Sequence, residues 1–179
     1  MILRFETDRL ILRPFEESDA PYLFELNDDE EVMRYTGDIP FKDVEDARKF
    51  AIDYSYNPQG QIRKYHMGRL AVIRKEDDVF IGWTGLKYHV DGDFVDTGYR
   101  FMKKYWGGKG YATESTRRVL QHAFEDHHLK VVEAHIHEHN YGSQKVAQRL
   151  KMKLDHRFLW SGVKPARCYK ITNDEFRNS

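Results

Sequence analysis

The segment Tyr105-Trp-Gly-Gly-Lys-Gly-Tyr-Ala-Thr-Glu114 carries the densest potential chemistry in this chain. Glycines let a backbone turn tightly and approach a ligand with no Cβ in the way. A helix that starts just after them leaves its first N–H groups without internal partners, at the positive end of the helix dipole. That combination suits an anion such as pyrophosphate, and Lys109 adds charge. Two common phosphate motifs are excluded. A P-loop needs Ser or Thr after its Gly-Lys, and here Gly110 follows Lys109. The dinucleotide fingerprint needs a glycine where Thr113 stands, inside a parallel βαβ unit. The plain alternative is a tight strand-to-helix connection with no ligand.

A second group of residues raises metal chemistry. His135, His137 and His139 alternate, which on a strand puts them on one face, with Glu138 beside them. Structural zinc sites want four ligands at Cys/His loop spacing. Cys168 is the single cysteine, so a polar strand face is the default and no metal is expected. One cysteine also excludes an intrachain disulfide, which fits a cytoplasmic chain. The acidic run Asp28-Asp-Glu-Glu31 reads as a solvated helix start, or as an attraction for a cationic acceptor.

The elements that must position these groups are legible from periodicity. Arg9 to Phe15 alternates as a strand, and Ala20 to Asn27 follows as a short helix behind Ser18-Asp19. Asp28 to Arg34 gives another short helix, and Val44 to Tyr54 has helical spacing. His66 to Arg74, Val79 to Val90 and Phe94 to Met102 are three strand-like runs parted by acidic turns, an antiparallel meander. Gly110 to His127 has the apolar stripe of an amphipathic helix. Val131 to His137 is a strand, Tyr141 to Lys151 a helix, and Leu154 to Trp160 and Ala166 to Thr172 are closing strands. The class is α+β, a mixed and mostly antiparallel central sheet with helices on its faces.

The 179 residues fit one domain spanning 1–179, with 40% hydrophobic residues for its core. Basic and acidic residues balance at 29 each. That argues against a nucleic-acid binder and against a polybasic membrane-surface protein. No apolar run reaches the roughly 20 residues of a spanning helix, and the N-terminus lacks a secretory signal pattern.

Taken in order, five pieces of this chain resemble the GNAT N-acetyltransferase superfamily, and within it the ribosomal-protein N-terminal acetyltransferase branch. They are Thr7–Phe15, Val32–Tyr35, Leu70–Gly82, Gly98–Phe101 with Gly110–Glu114, and the spacing of Asn140, Ser143, Val146 and Leu150. The resemblance implies a sheet with splayed strands and acetyl-CoA as co-substrate. Its diphosphate would rest on the amides of Gly108, Lys109, Gly110, Tyr111, Ala112 and Thr113. Its pantetheine arm would pair with freed backbone near Phe101, Met102 and Lys103, where one N–H would serve as oxyanion donor. Asn140 would meet the arm from the other side. The acceptor would be a primary amine on a small molecule or a protein N-terminus. A non-catalytic acyl-CoA sensor of the same fold is the rival. The oligomeric state is open, a homodimer included.

The chain departs from the family in three ways. Gly108 is an extra residue in the usual Trp-Gly-Lys-Gly loop. Lys151 replaces a glycine that would favour a left-handed helix ending. Ala147 stands where many members carry an acidic tyrosine. Amine attack needs a neutral amine, and a base helps most for lysine-like amines of pKa about 10.4, less for α-amines near 8. Asp96, two residues before Gly98, is the base candidate, against a solvated strand carboxylate. Ser143 matches a serine of the ribosomal-protein branch and could hydrogen-bond the thiol, against local backbone bonding. Tyr141 is a weaker proton donor. Tyr35, Phe41 and Trp83 are pocket walls or core aromatics.

Overall fold

Leu10 and Leu12 are fully buried while Ile11 and Arg13 are only partly so, the period of two that makes a strand with one face on a core. The computed structural model describes residues 3–179. In chain order the elements are β1 (Phe5–Glu6), β2 (Leu10–Arg13), α1 (Ala20–Asp28), α2 (Glu30–Met33), α3 (Val44–Tyr56), α4 (Gln61–Tyr65), β3 (Arg69–Arg74), β4 (Val79–His89) and β5 (Phe94–Phe101). Then follow α5 (Tyr111–Glu125), β6 (Val131–His137), α6 (Tyr141–Arg149), β7 (Lys153–Trp160), β8 (Lys164–Thr172) and α7 (Asn173–Arg177).

The described strands form one eight-stranded sheet in the order β1-β2-β3-β4-β5-β6-β8-β7. Neighbours are antiparallel except β5 and β6, which run parallel. The β4–β5 ladder is long, from Gly82 opposite Phe101 to His89 opposite Phe94. Between β5 and β6 the register holds at a single pair, Asp96 opposite Glu133. Beyond it the two strands part, and among the described residues Gly98–Phe101 has no strand partner on that side. This is the splay that positions the site.

Helices cover both faces. Val119, Leu120, Ala123 and Phe124 of α5, with Ala147 and Leu150 at α6, pack with Leu10, Leu70, Val72, Ile81 and Leu86. On the opposite face Leu23, Leu26, Ala47 and Ala51 of α1 and α3 pack with Phe15, Ala71, Ile73, Phe80 and Met102. Among the described residues, no helix is long and apolar enough to cross a membrane.

Three local features differ from the sequence reading. β3 starts at Arg69, because residues 61–65 form the short helix α4, which ends on His66 with φ 51°. Helix α7 follows β8 on a capping box between Thr172 and Glu175. Helix α6 closes as glycine would allow. Lys151 takes φ 64°, its N–H bonds the Gln148 carbonyl at 3.0 Å, and the Met152 N–H bonds that of Ala147 at 3.0 Å. That is a Schellman ending built on a lysine.

Candidate active site

The splay opens into a cleft of about 1200 Å³. At one end lies the glycine-rich loop. Gly107, Gly108 and Gly110 have φ 78°, 84° and 78°, the left-handed region that disfavours other residues. These turns leave the amides of residues 107–113 without a protein acceptor among the described residues. Helix α5 makes its first bond from Glu114 N–H to the Gly110 carbonyl, at 2.9 Å. The Thr113 hydroxyl is buried with no partner beside them. Open amides, an orphan hydroxyl and a helix N-terminus fit a diphosphate.

Arg9 fixes this loop, a role the sequence reading missed. Its Nε bonds Glu114 Oε2 at 2.7 Å, its Nη1 bonds the Lys109 carbonyl at 3.0 Å, and its guanidinium lies 4.6 Å from the Tyr111 ring centroid. Glu114 also accepts from the Thr7 hydroxyl at 2.6 Å. Burial raises the Glu114 pKa, but Thr7 and Arg9 outweigh it, so the carboxyl lies below its usual range.

Along the splay the sequence reading needs correction at two residues. The Met102 N–H turns back to the Ile81 carbonyl at 3.0 Å, and its side chain is buried in the α1–α3 core. Lys103 sits in a 3₁₀ turn, with its ammonium on Glu31 at 2.5 Å. Neither lines the cleft. Strand alternation then turns the N–H groups of Tyr99 and Phe101 to the open side. The Phe101 carbonyl accepts from the Trp106 indole at 2.7 Å. Across the splay Asn140 caps α6 through Oδ1 to the Ser143 N–H at 3.2 Å. The Ser143 carbonyl accepts from the Tyr99 hydroxyl at 2.8 Å. Tyr99 thus spans from β5 to α6, and burial pushes its pKa up. Tyr141 lines the rim and is 63% exposed.

At the far end Asp96 lines the cleft but is not poised as a base. Its Oδ1 accepts from Arg69 Nη2 at 2.7 Å. His89 Nε2 lies 3.1 Å from Oδ2, out of line for a hydrogen bond. Burial pushes the Asp96 carboxyl up, yet the Arg69 guanidinium, with His89 beside it, wins and holds it at about 2. A carboxylate held so low is a weak proton acceptor. Tyr35 and Trp83 line the cleft, and Tyr35 packs on His137 at 4.9 Å between centroids. Phe41 lines instead a smaller chamber that shares Trp83 with the cleft.

His137 and His139 lie together, their ring centroids 5.6 Å apart and the His139 N–H on His137 Nδ1 at 3.1 Å, while His135 stands apart from them. His137 faces Tyr35, and His139 lies in the turn after β6. His135 meets Glu133 and Cys168, while Asp155, His156 and Cys168 form a second group, both within 4.8 Å. The Lys170 ammonium already links these groups, 3.3 Å from Glu133 and 3.0 Å from Asp155. Sequence distance hid this arrangement, since it depends on β8 lying between β6 and β7. The Cys168 thiol is fully buried and pushed up to about 12, by burial first and Glu133 second, so it stays a neutral thiol.

A family model described as an acetyltransferase (GNAT) domain matches residues 9–153. The uncharacterised N-acetyltransferase p20 of Bacillus licheniformis is 30% identical, over 82% of this chain and 80% of its own length. A GNAT-family acetyltransferase structure from Bacillus anthracis has a TM-score of 0.81 at 21% identity, covering 96% of this chain and 99% of that one. Spermidine N-acetyltransferase from Vibrio cholerae, solved with CoA and spermine, has a TM-score of 0.75 at 17% identity, covering 96% and 100%. The last two are likenesses of fold. Together with the family model and the p20 match, they place the splayed sheet and its glycine loop in a known setting: this chain belongs to the GNAT family of acetyltransferases.

Proposed function

We propose that this enzyme transfers an acetyl group from acetyl-CoA to a primary amine, on a small molecule or a protein N-terminus, by direct attack in a ternary complex. One observation carries the reading. The open amides of residues 107–113 and those of Tyr99 and Phe101 line the same cleft as Trp83 and Asp96. Acetyl-CoA supplies the activated acyl group. Residues 108–113 hold the diphosphate, and Lys109, Lys145 and Arg149 on the cleft wall add positive charge. Of the three residues Phe101, Met102 and Lys103, the Phe101 amide is the oxyanion donor. Ser143 and Asn140 border the arm from α6.

No dedicated base is assigned. Positioning two reactants in one cleft supplies much of the rate, and an α-amine of pKa about 8 is already partly neutral near pH 8. The ribosomal-protein branch rests on the sequence segments alone, so small amines and peptide N-termini both stand as acceptors. The enzyme acts as one domain over residues 1–179 in the cytoplasm.

A non-catalytic acyl-CoA sensor draws support from two facts: Ala147 is fully buried where an acid would stand, and Asp96 is tied to Arg69. A thiol-release assay with acetyl-CoA and a panel of amines separates the two. Amine-dependent release of coenzyme A supports transfer, and tight cofactor binding with no turnover on any amine supports the sensor. The cradle has its own test. A Cβ at Gly110 would approach Arg9 no closer than 3.5 Å, but φ 78° strains any side chain there, so Gly110→Ala, which carries the strain without the charge, is the control for Gly110→Asp, whose carboxylate repels the diphosphate. Coenzyme A affinity by calorimetry should fall at least about tenfold, ~1.4 kcal/mol.

A further inference from the structure

Behind Trp83, between the sheet and helices α1 and α3, lies a chamber of about 290 Å³ that shares Asp38, Arg69, Trp83, Lys87 and Arg100 with the cleft. That volume is at the low end for small-molecule sites, so its occupant is small. Phe41, Phe50 and Tyr54 form an aromatic wall, with neighbouring centroids 5.2 and 5.3 Å apart. Three cationic side chains line the chamber, Arg69, Lys87 and Arg100, against one carboxylate, Asp38.

The three cations are not equally satisfied. Arg69 is spent on the Gly85 carbonyl and Asp96. Arg100 is 91% buried, from its 9% exposure. Its Nη1 bonds Asn27 at 2.8 Å, its Nη2 bonds Asp38, and its Nε is buried with no partner. Asp38, its counter-ion, has a side chain 59% exposed, on the loop between α2 and α3. Lys87 makes no ion pair among the described residues. A buried guanidinium whose counter-ion is largely solvated, in a chamber that an unpaired ammonium also lines, is a half-filled anion site. Arg100 also lies in β5 between Tyr99 and Phe101, whose amides face the splay. An anion bound there keeps an amine of the same small molecule within reach of the acyl group.

We infer that the acceptor is a small amino carboxylate with an apolar body, its carboxylate on Arg100 and Lys87 and its body against Phe41, Phe50 and Trp83. This rests on the acetyl-transfer reading above. A polycation would enter a chamber in which cations outnumber carboxylates, and a plain alkylamine would leave Arg100 unfilled.

The test compares matched amines with acetyl-CoA: L-leucine and L-phenylalanine, their carboxamides, the decarboxylated isopentylamine and phenethylamine, a dipeptide amide with an apolar N-terminal residue, and spermidine. The amino carboxylates should exceed every other member in kcat/KM by at least about tenfold, since a hydrogen-bonded charge pair is lost in each analogue. Lys87→Gln, at an exposed position, should shrink that ratio severalfold. A ratio near one, faster turnover of spermidine or the dipeptide amide, or a ratio untouched by Lys87→Gln overturns the inference while leaving acetyl transfer standing. If no amine is turned over, acetyl transfer fails. Calorimetry of the same amines on the coenzyme A complex then decides the chamber alone: preference for the carboxylates upholds it, and equal binding removes it.

Discussion

Asp96 is a strand carboxylate two residues before a glycine, and its sequence context suits a base. Its partner, Arg69, lies on β3, reaching it across β4, and the pair is nearly closed to solvent, at 16% and 14% side-chain exposure. The carboxylate therefore acts as a counter-ion. Asp96→Asn should cost about 2–4 kcal/mol in urea unfolding at neutral pH, because it strands a buried guanidinium. The pH dependence has a defined sign. The folded pKa of about 2 lies below the usual value near 3.9. The stabilisation is therefore complete above about pH 4 and drains as pH falls towards 2. Asp96 takes up no proton between pH 6 and 9, so any pH dependence of the rate there should survive Asp96→Asn with its midpoint unmoved. Residue types announced the tight turns of the loop in advance, because Gly107, Gly108 and Gly110, at positive φ, have no Cβ. They hid Asp96, Met102 and Cys168, whose roles depend on which strands lie beside them.

Elements with strong periodicity were legible in the sequence, and short ones were not. Helix α5 and strands β4 and β6 lie within a residue or two of their expected spans. Helix α4 has one buried residue, Ile62, and a single turn carries too little pattern to register. The α7 signal, Thr172 three residues before Glu175, was in the sequence but preceded no apolar run. The end of α6 yields a prediction. Lys151 at φ 64° bears a left-handed penalty of about 1–2 kcal/mol. Lys151→Gly relieves it, less about 0.5–1 kcal/mol for the added freedom of the unfolded chain. A net gain of about 0.5–1 kcal/mol in thermal or urea unfolding is expected. At the other key helix, Arg9 ties β2 to the start of α5. The exposed part of that ion pair contributes little to stability, under about 1 kcal/mol, so Arg9→Ala should fold normally. Its effect should appear in function, as a KM for acetyl-CoA raised severalfold with kcat little changed.

For the whole molecule, the α+β class and the meander β3-β4-β5 followed from alternation and turn residues. The order of the remaining strands did not, because nothing local in β8 states that it inserts between β6 and β7. The resemblance to GNAT enzymes supplied the splay, and the single Asp96–Glu133 register pair is its form here. Because the cleft runs between β5 and β6 and across to α6, a ligand bound there ties together parts that the backbone ladder leaves apart. Coenzyme A at about a hundredfold its Kd should stabilise the fold by about 2.7 kcal/mol through linkage alone. At the same concentration a tenfold weaker Kd leaves about 1.4 kcal/mol, so the rise in melting temperature should be about halved or smaller in Gly110→Asp.

That lone rung has an architectural consequence. The sheet is built as two panels, β1 to β5 and β6-β8-β7, riveted at one point and braced by Tyr99 reaching α6. Past that rung the two panels are held by the core they share, Val95 and Phe101 on one side with Val132 and Ala134 on the other, and not by backbone hydrogen bonds.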